Sequence, residues 1–228
     1  MTEINPAVLV KNFNELNEKL AKFVNVTNIV QIDICDGNFV PNISWPMNPR
    51  DKVSVDYILN EEHGLPFWEQ LDFEFDLMVI NAHKKFNFFT GFGIKRIIFH
   101  LEAEDENDFK EFLESLDPYI KDNIEIGLAL KTTTNINKLD PFINHIDFVQ
   151  CMGIEKIGFQ GQPFDERVLL QIQRLKERYP EIKISIDGGV NKNTAPLLLE
   201  KGADRLVIGS ALVESFDIGE TIKEFEIL

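Results

Sequence analysis

Cys35 and Cys151 are the only thiols in 228 residues, too few for a disulfide framework or a thiolate zinc cluster. Basic residues are scarce as well: 23 lysines and arginines stand against 38 aspartates and glutamates, for a formal charge of −15. Nucleic acid is therefore not expected as a partner, because binding its phosphates needs clustered Lys and Arg. The chain contains no run of 18 apolar residues, so no membrane-spanning helix is expected. The opening "MTEINPAVLVKNF" has no basic stretch followed by a long apolar one, so no secretory leader is expected, and the chain reads as cytoplasmic and reduced. "VLVKNF" also lacks the glycine-rich phosphate turn that usually follows the first strand of an open nucleotide-binding sheet.

The hydrophobic content, 44%, is enough for one substantial core, and residues 1–228 are expected to form a single domain. Short β-branched and apolar runs recur: "AVLV" (Ala7–Val10), "NIVQIDI" (Asn28–Ile34), "FEFDLMVI" (Phe73–Ile80) and "RIIFHLE" (Arg96–Glu102). "IEIGLAL" (Ile124–Leu130), "DFVQCM" (Asp147–Met152), "KISID" (Lys183–Asp187) and "RLVIG" (Arg205–Gly209) complete the series. Amphipathic segments separate them, among them "NFNELNEKLAKFV", "DENDFKEFLESLDPYI" and "FDERVLLQIQRLKERYP". In the last, Val168, Leu169, Ile172 and Leu175 share a helical face. Gly202 suits the position just past a helix ending in "LLLEK". A further helix is placed around Val53 to Glu61. Eight strand–helix units in this length predict a closed (β/α)8 TIM barrel, with an open doubly wound sheet as its rival.

Barrel chemistry sits at the C-terminal ends of the strands. Gln31, Asp33, Asp36, Asp76, His100, Glu102, Lys131, Asp187 and Ser210 lie at or near those ends. Gln31 and Asp33, two apart, share one face of their strand. Facing inward they are buried and need partners; facing outward they bond to helix caps, and the apolar residues between them do not decide. "IDGGV" puts Asp187 before Gly188 and Gly189, while "VIGSALV" puts Gly209 and Ser210 at a strand end. Glycine turns after the last two strands of such a barrel can cradle a phosphate on backbone amides, which suits an acidic protein binding an anion. "GFQGQ" (Gly158–Gln162) reads either as a mobile lid or as an ordinary loop. His63, His83 and His145 fall in helix or loop segments and read as surface or capping residues; His100 reads as structural, bonded near Glu102.

"IDICDGNFVPNISW", "FDLMV", "IIFHLEA", "IGLALK", "GFQGQ", "IDGGV" and "VIGSALV", in this order, resemble the ribulose-phosphate 3-epimerase family over nearly the whole chain. The resemblance implies a barrel of the ribulose-phosphate-binding type, an isomerase acting on a phosphorylated ketose, a divalent metal and a homo-oligomer. By motif, Asp33 and Asp187 match the family's acid/base carboxylates and also its metal ligands. Gly161, Gly188, Gly189, Gly209 and Ser210 match positions that bind substrate and phosphate, and Met78 and Met152 match methionines of the pocket. Gln31 and Asp76 stand where the family has metal-binding histidines, Ala7 where it has serine, and Cys35 where methionine is usual. Near the lid, Lys156 and Ile157 stand where a proline is usual.

Inverting a carbon beside a ketone needs a base on one face and an acid on the other, the roles expected of Asp33 and Asp187. With Gln31 and Asp76 they form an all-oxygen set. Carboxylates about 4 Å apart repel by roughly 4 kcal/mol at an effective dielectric near 20. A cation, a bound proton or an approaching lysine, with Lys156 as candidate, must relieve that repulsion. Oxygen ligands suit Mg²⁺ or Mn²⁺ better than Zn²⁺, and a metal-free site is the alternative. The expected function is epimerisation of a ketose phosphate, such as D-ribulose 5-phosphate to D-xylulose 5-phosphate. The other expectation is a degenerate barrel that binds a phosphorylated sugar or partner without turnover.

Overall fold

A computed structural model describes residues 2–228. Eight parallel strands close in sequence order: β1 (Glu3–Leu9), β2 (Ile29–Cys35), β3 (Asp72–Met78), β4 (Arg96–His100), β5 (Glu125–Leu130), β6 (Phe148–Met152), β7 (Lys183–Asp187) and β8 (Arg205–Ile208). Around them run α1 (Phe13–Leu20), α2 (Lys52–Leu59), α3 (Phe86–Thr90), α4 (Glu106–Ser115), α5 (Pro118–Asn123), α6 (Arg167–Arg178), α7 (Ala195–Glu200), α8 (Ser210–Val213) and α9 (Ile218–Glu226). The pairing of β1 with β8 closes the barrel and rules out the open sheet. No helix among the described residues is long and apolar enough to cross a membrane.

Differences from the expected elements have local causes. β1 begins at Glu3, ahead of the expected Ala7, because Glu3 and Asn5 break the apolar run that marks a strand. "DENDFKEFLESLDPYI" forms two helices, since Pro118 disfavours helical backbone at Asp117, whose side chain instead caps α5 through the Tyr119 amide at 2.8 Å. Asp105 caps α4 in the same way, accepting from Asn107 and Asp108 at 3.2 and 3.1 Å. β3 and β4 stop at Met78 and His100 and pass into single 3₁₀ turns. Gly202 follows α7 with φ +104°, as its placement in the sequence predicts.

Alternation along the strands divides the apolar residues into two bodies. Val8, Ile32, Phe75, Ile97, Leu128 and Leu206 point outward and pack beneath the helices. Cys35, Met78, Ile98, Ala129, Phe148 and Met152 point inward and fill the upper barrel. On α6, Val168, Ile172 and Leu175 are buried as expected; Leu169 is only half-buried, and Gln171 takes an inner place.

The N-terminal end of the barrel is closed by charge. Arg96 bonds Glu3 at 2.6 Å and Glu125 at 2.8 Å, and Arg205 approaches Glu3 at 3.1 Å. Fully buried Glu74 is flanked by Arg205 at 3.6 Å and Arg96 at 3.7 Å, and accepts from the Asn5 amide at 3.3 Å. The Arg205 guanidinium also stacks on Phe148, 4.6 Å from its centroid, which joins this floor to the inner apolar layer. Removing one partner from a buried ion network leaves an uncompensated charge. Arg205→Leu should therefore lower unfolding free energy by about 3–5 kcal/mol in urea titrations; a loss below about 1 kcal/mol would show that Glu74 is satisfied without it.

Candidate active site

Registration sets the site. Asp33 on β2 pairs with Asp76 on β3, so two carboxylates lie side by side at the barrel's C-terminal end. Asp187 ends β7 and reaches them across the interior, because the strands between carry small or apolar inward residues, Ala7 on β1 and Val207 on β8. Oxygen atoms of Asp33, Asp76 and Asp187 lie within 4.8 Å of one another. Gln31 is fully buried and its Nε2 donates to Asp33 Oδ1 at 2.9 Å and to Asp187 Oδ2 at 2.8 Å. That settles the inward orientation of Gln31 and Asp33. The amide's other end, Oε1, is buried with no hydrogen-bond partner among the described residues.

Asp76 has its own partners. His100 Nε2 meets its Oδ1 at 2.7 Å, and Gln150 Nε2 donates to Oδ2 at 3.2 Å while Ser185 Oγ donates to Gln150 Oε1 at 3.3 Å. Burial alone would discharge the His100 ring, but the negative charge of Asp76 and its hydrogen bond raise the imidazole pKa above its ordinary value. The acids respond in the opposite sense. Burial first, then the charges of Asp187 and Asp76, push the Asp33 carboxyl well above the usual carboxylate range. Burial and the charge of Asp76 raise Asp187 to about 7, against the lowering effects of Gln31 and His100. Both shifts favour the protonated form of these two carboxyls relative to exposed acids.

Above the acids opens a cavity of about 240 Å³. Met78 and Met152 wall it on one side, and Gly188, Gly189, Gly209 and Ser210 on another. Gly161 and its neighbours in the loop after β6 also line it. Gly188 and Gly189 adopt φ +98° and +69°, and a Cβ on either would lie under 3.0 Å from Ile154 or Phe164; only glycine fits both the conformation and the space.

The loop "DGNFVPN" after β2 is held by Asp36, whose carboxylate accepts from the amides of Asn38 (2.8 Å), Phe39 (2.9 Å) and Ile80 (3.0 Å). It places Phe39 5.4 Å from the His100 ring, and Lys131 Nζ lies 4.7 Å from the Phe39 centroid. Asp36 is thus a loop clamp rather than a site residue, and Glu102 likewise serves the next loop, accepting from the Lys131 amide at 2.9 Å. His100 binds Asp76, not the neighbourhood of Glu102 as the sequence suggests. His83, expected at the surface, is buried between Phe109 and Phe112 and bonded to Glu104, whereas His63 is exposed. Lys156 is exposed and does not line the cavity, so it does not relieve the acids; His100, bonded to Asp76, is the basic side chain in contact with them. Gln150 has no signal in the sequence beyond its inward parity with Met152 two residues on.

A closed parallel barrel with convergent acids at its C-terminal mouth has the layout of a (β/α)8 enzyme. The chain belongs to the ribulose-phosphate 3-epimerase family, whose model matches residues 3–213. Ribulose-phosphate 3-epimerase of Methanocaldococcus jannaschii is 30% identical over 98% of this chain and 89% of the relative. Its counterpart from Eremothecium gossypii is 28% identical over 96% and 89%. Among solved structures, a 3-keto-L-gulonate-6-phosphate decarboxylase from Vibrio cholerae aligns over 100% of this chain and 97% of its own, with TM-score 0.67 at 13% identity. A 3-hexulose-6-phosphate synthase covers 100% and 99%, with TM-score 0.66 at 15% identity. At those identities the structures show the fold alone.

The Gln31 bridge has a measurable consequence. Gln31→Leu leaves Asp33 and Asp187 with no donor between them, and a lost hydrogen bond to a charged group costs about 1.5–3 kcal/mol. Urea titration should show a loss of that size near neutral pH; unchanged stability would mean that the amide does not hold the acids.

Proposed function

We propose that this chain is an epimerase that inverts the carbon beside the ketone of a phosphorylated ketose, as in the interconversion of D-ribulose 5-phosphate and D-xylulose 5-phosphate. The observation that carries this is the pair of acids, Asp33 and Asp187, brought from β2 and β7 to the single Nε2 of Gln31. One carboxylate removes the proton from C3, and the C–H electron pair moves into C2–C3 as the carbonyl oxygen becomes an enediolate oxygen. The other, protonated, acid gives its proton to the opposite face of C3 and the C2 carbonyl re-forms. The substrate ends with the same proton count, and the two acids have exchanged protonation states. Such a cycle needs one acid protonated and the other ionised, and burial together with mutual repulsion favours that condition. Gly189, Gly209 and Ser210 hold the phosphoryl group in this scheme, with Gly188 and Gly161 leaving room for it. Met78 and Met152 cover the carbon chain and keep water from the enediolate.

The donor set fits a hard divalent cation. All its ligands are oxygens, and carboxylate oxygens of Asp33, Asp76 and Asp187 converge within 4.8 Å, while the Gln31 amide, whose Nε2 faces Asp33 and Asp187, would turn over to offer its unpartnered Oε1. Gln31, Asp33, Asp76 and Asp187 would hold Mg²⁺ or Mn²⁺, which supplies positive charge for the enediolate oxygens when bound. His100 and Gln150 keep Asp76 oriented whether or not an ion is present.

Exchange of the C3 proton of D-ribulose 5-phosphate with deuterated solvent, followed by NMR, tests the scheme. Asp33→Asn and Asp187→Asn should each slow exchange by about 10²–10⁴-fold, the usual share of general acid–base catalysis. Full activity in either variant would remove the two-acid mechanism. No exchange with any ketose phosphate, with phosphate still bound, would mean that the barrel binds without turnover. Calorimetric titration with Mn²⁺ should show Asp76→Asn binding at least about tenfold more weakly than the parent; equal affinity would take Asp76 out of the ligand set.

A further inference from the structure

A phosphoryl dianion entering this cavity meets two acids and no cation: among the described residues, none lining it is lysine, arginine or histidine. Neutral N–H donors must supply the attraction. Three side-chain carboxamides line the cavity, those of Gln160, Gln162 and Asn191. The Asn191 amide is committed to the Gly189 carbonyl at 3.1 Å. Gln160 makes no side-chain hydrogen bond among the described residues, yet it reaches over the glycine wall. A methyl group placed on Gly209 would lie only 3.0 Å from its Nε2.

The loop that carries Gln160 has a fixed base. Ile154 pairs with Phe164 across its foot, and Asp165 there accepts from Thr132 Oγ1 at 2.6 Å and is gripped by the Arg167 guanidinium. Farther along, Asn42 Nδ2 donates to the Gly158 carbonyl at 3.2 Å, and Ile157 is buried against the inner apolar layer. The tip, Phe159–Gly161, is exposed. The amide at that tip is thus held near Gly209 by an anchored stem, and no bond of its own among the described residues competes for the donor.

We propose that Gln160 is a phosphoryl ligand: its Nε2 donates to a phosphoryl oxygen seated over Gly209, adding a side-chain donor to the backbone cradle. This rests on the phosphate-binding role given above to Gly189, Gly209 and Ser210. Gln160 then helps to select phosphorylated over unphosphorylated ketoses.

Titration with inorganic phosphate, followed by calorimetry, tests this without requiring turnover, and the exposed position lets variants fold. Gln160→Ala should weaken binding about five- to twentyfold, as expected for losing one hydrogen bond to a charged group at a partly exposed site. Gln160→Glu, which sets a carboxylate against the anion, should weaken it further. Equal affinity in all three proteins would overturn the assignment, as would tighter binding by Gln160→Ala, which would make the side chain a plug. Absence of phosphate binding in the parent at millimolar concentration would overturn it too. Each of those results leaves the two-acid chemistry to stand or fall on the exchange measurements with Asp33→Asn and Asp187→Asn.

Discussion

Three carboxylates converging in one compartment, two of them buried and Asp187 half-buried, are the constraint that the rest of the upper barrel answers. Asp33, Asp76 and Asp187 raise one another's cost of ionisation, and burial raises it further. The polar neighbours are donors aimed at that problem: Gln31 between Asp33 and Asp187, His100 and Gln150 on Asp76, and Ser185 behind Gln150. The same strain makes the cluster useful. Carboxyls held above the usual carboxylate range give up a proton less readily, the property on which the proposed proton transfer draws.

The two ends of the barrel solve opposite electrostatic tasks with the same inward positions. At the N-terminal end, Arg96 and Arg205 are matched by Glu3, Glu74 and Glu125, so charge is closed off and serves stability. At the C-terminal end the acids outnumber the positive groups, and the cavity above them has no cationic lining among the described residues. Between the two ends sits the inner apolar layer, with Phe148 touching Arg205 on one side and Met78 and Met152 reaching the cavity on the other. At the bottom the third acid is tolerable because Glu3 and Glu125 remain partly exposed, while buried Glu74 lies between both arginines.

Much of this is legible in the sequence, and the gaps have physical reasons. The eight apolar runs and the residues at their C-terminal ends place Asp33, Asp76 and Asp187 together once the barrel closes, because parallel registration is set by the strands themselves. β1 reads short because Glu3 and Asn5 belong to a charged floor whose partners come from β3, β4 and β8, which no local pattern reveals. Sequence proximity points His100 toward Glu102, whereas its partner is across the strand pair on β3. A lone histidine between helices reads as surface, yet Phe109, Phe112 and Glu104 enclose His83 through long-range packing. Lys156, a candidate counter-charge by composition, stays outside the cavity because the stem of its loop is fixed at Ile157 and Gly158.

The division of the apolar residues into an outer body beneath the helices and an inner one within the strands has a consequence for how the chain tolerates change. Each strand carries two interleaved messages, one letter addressed to architecture and the next to chemistry. Ile32 and Ile34 answer to the helices, while Gln31, Asp33 and Cys35 answer to whatever occupies the mouth. Drift in one register need not disturb the other, so the side chains at positions such as Gln31 and Asp76 can change while the scaffold beneath the helices stays intact.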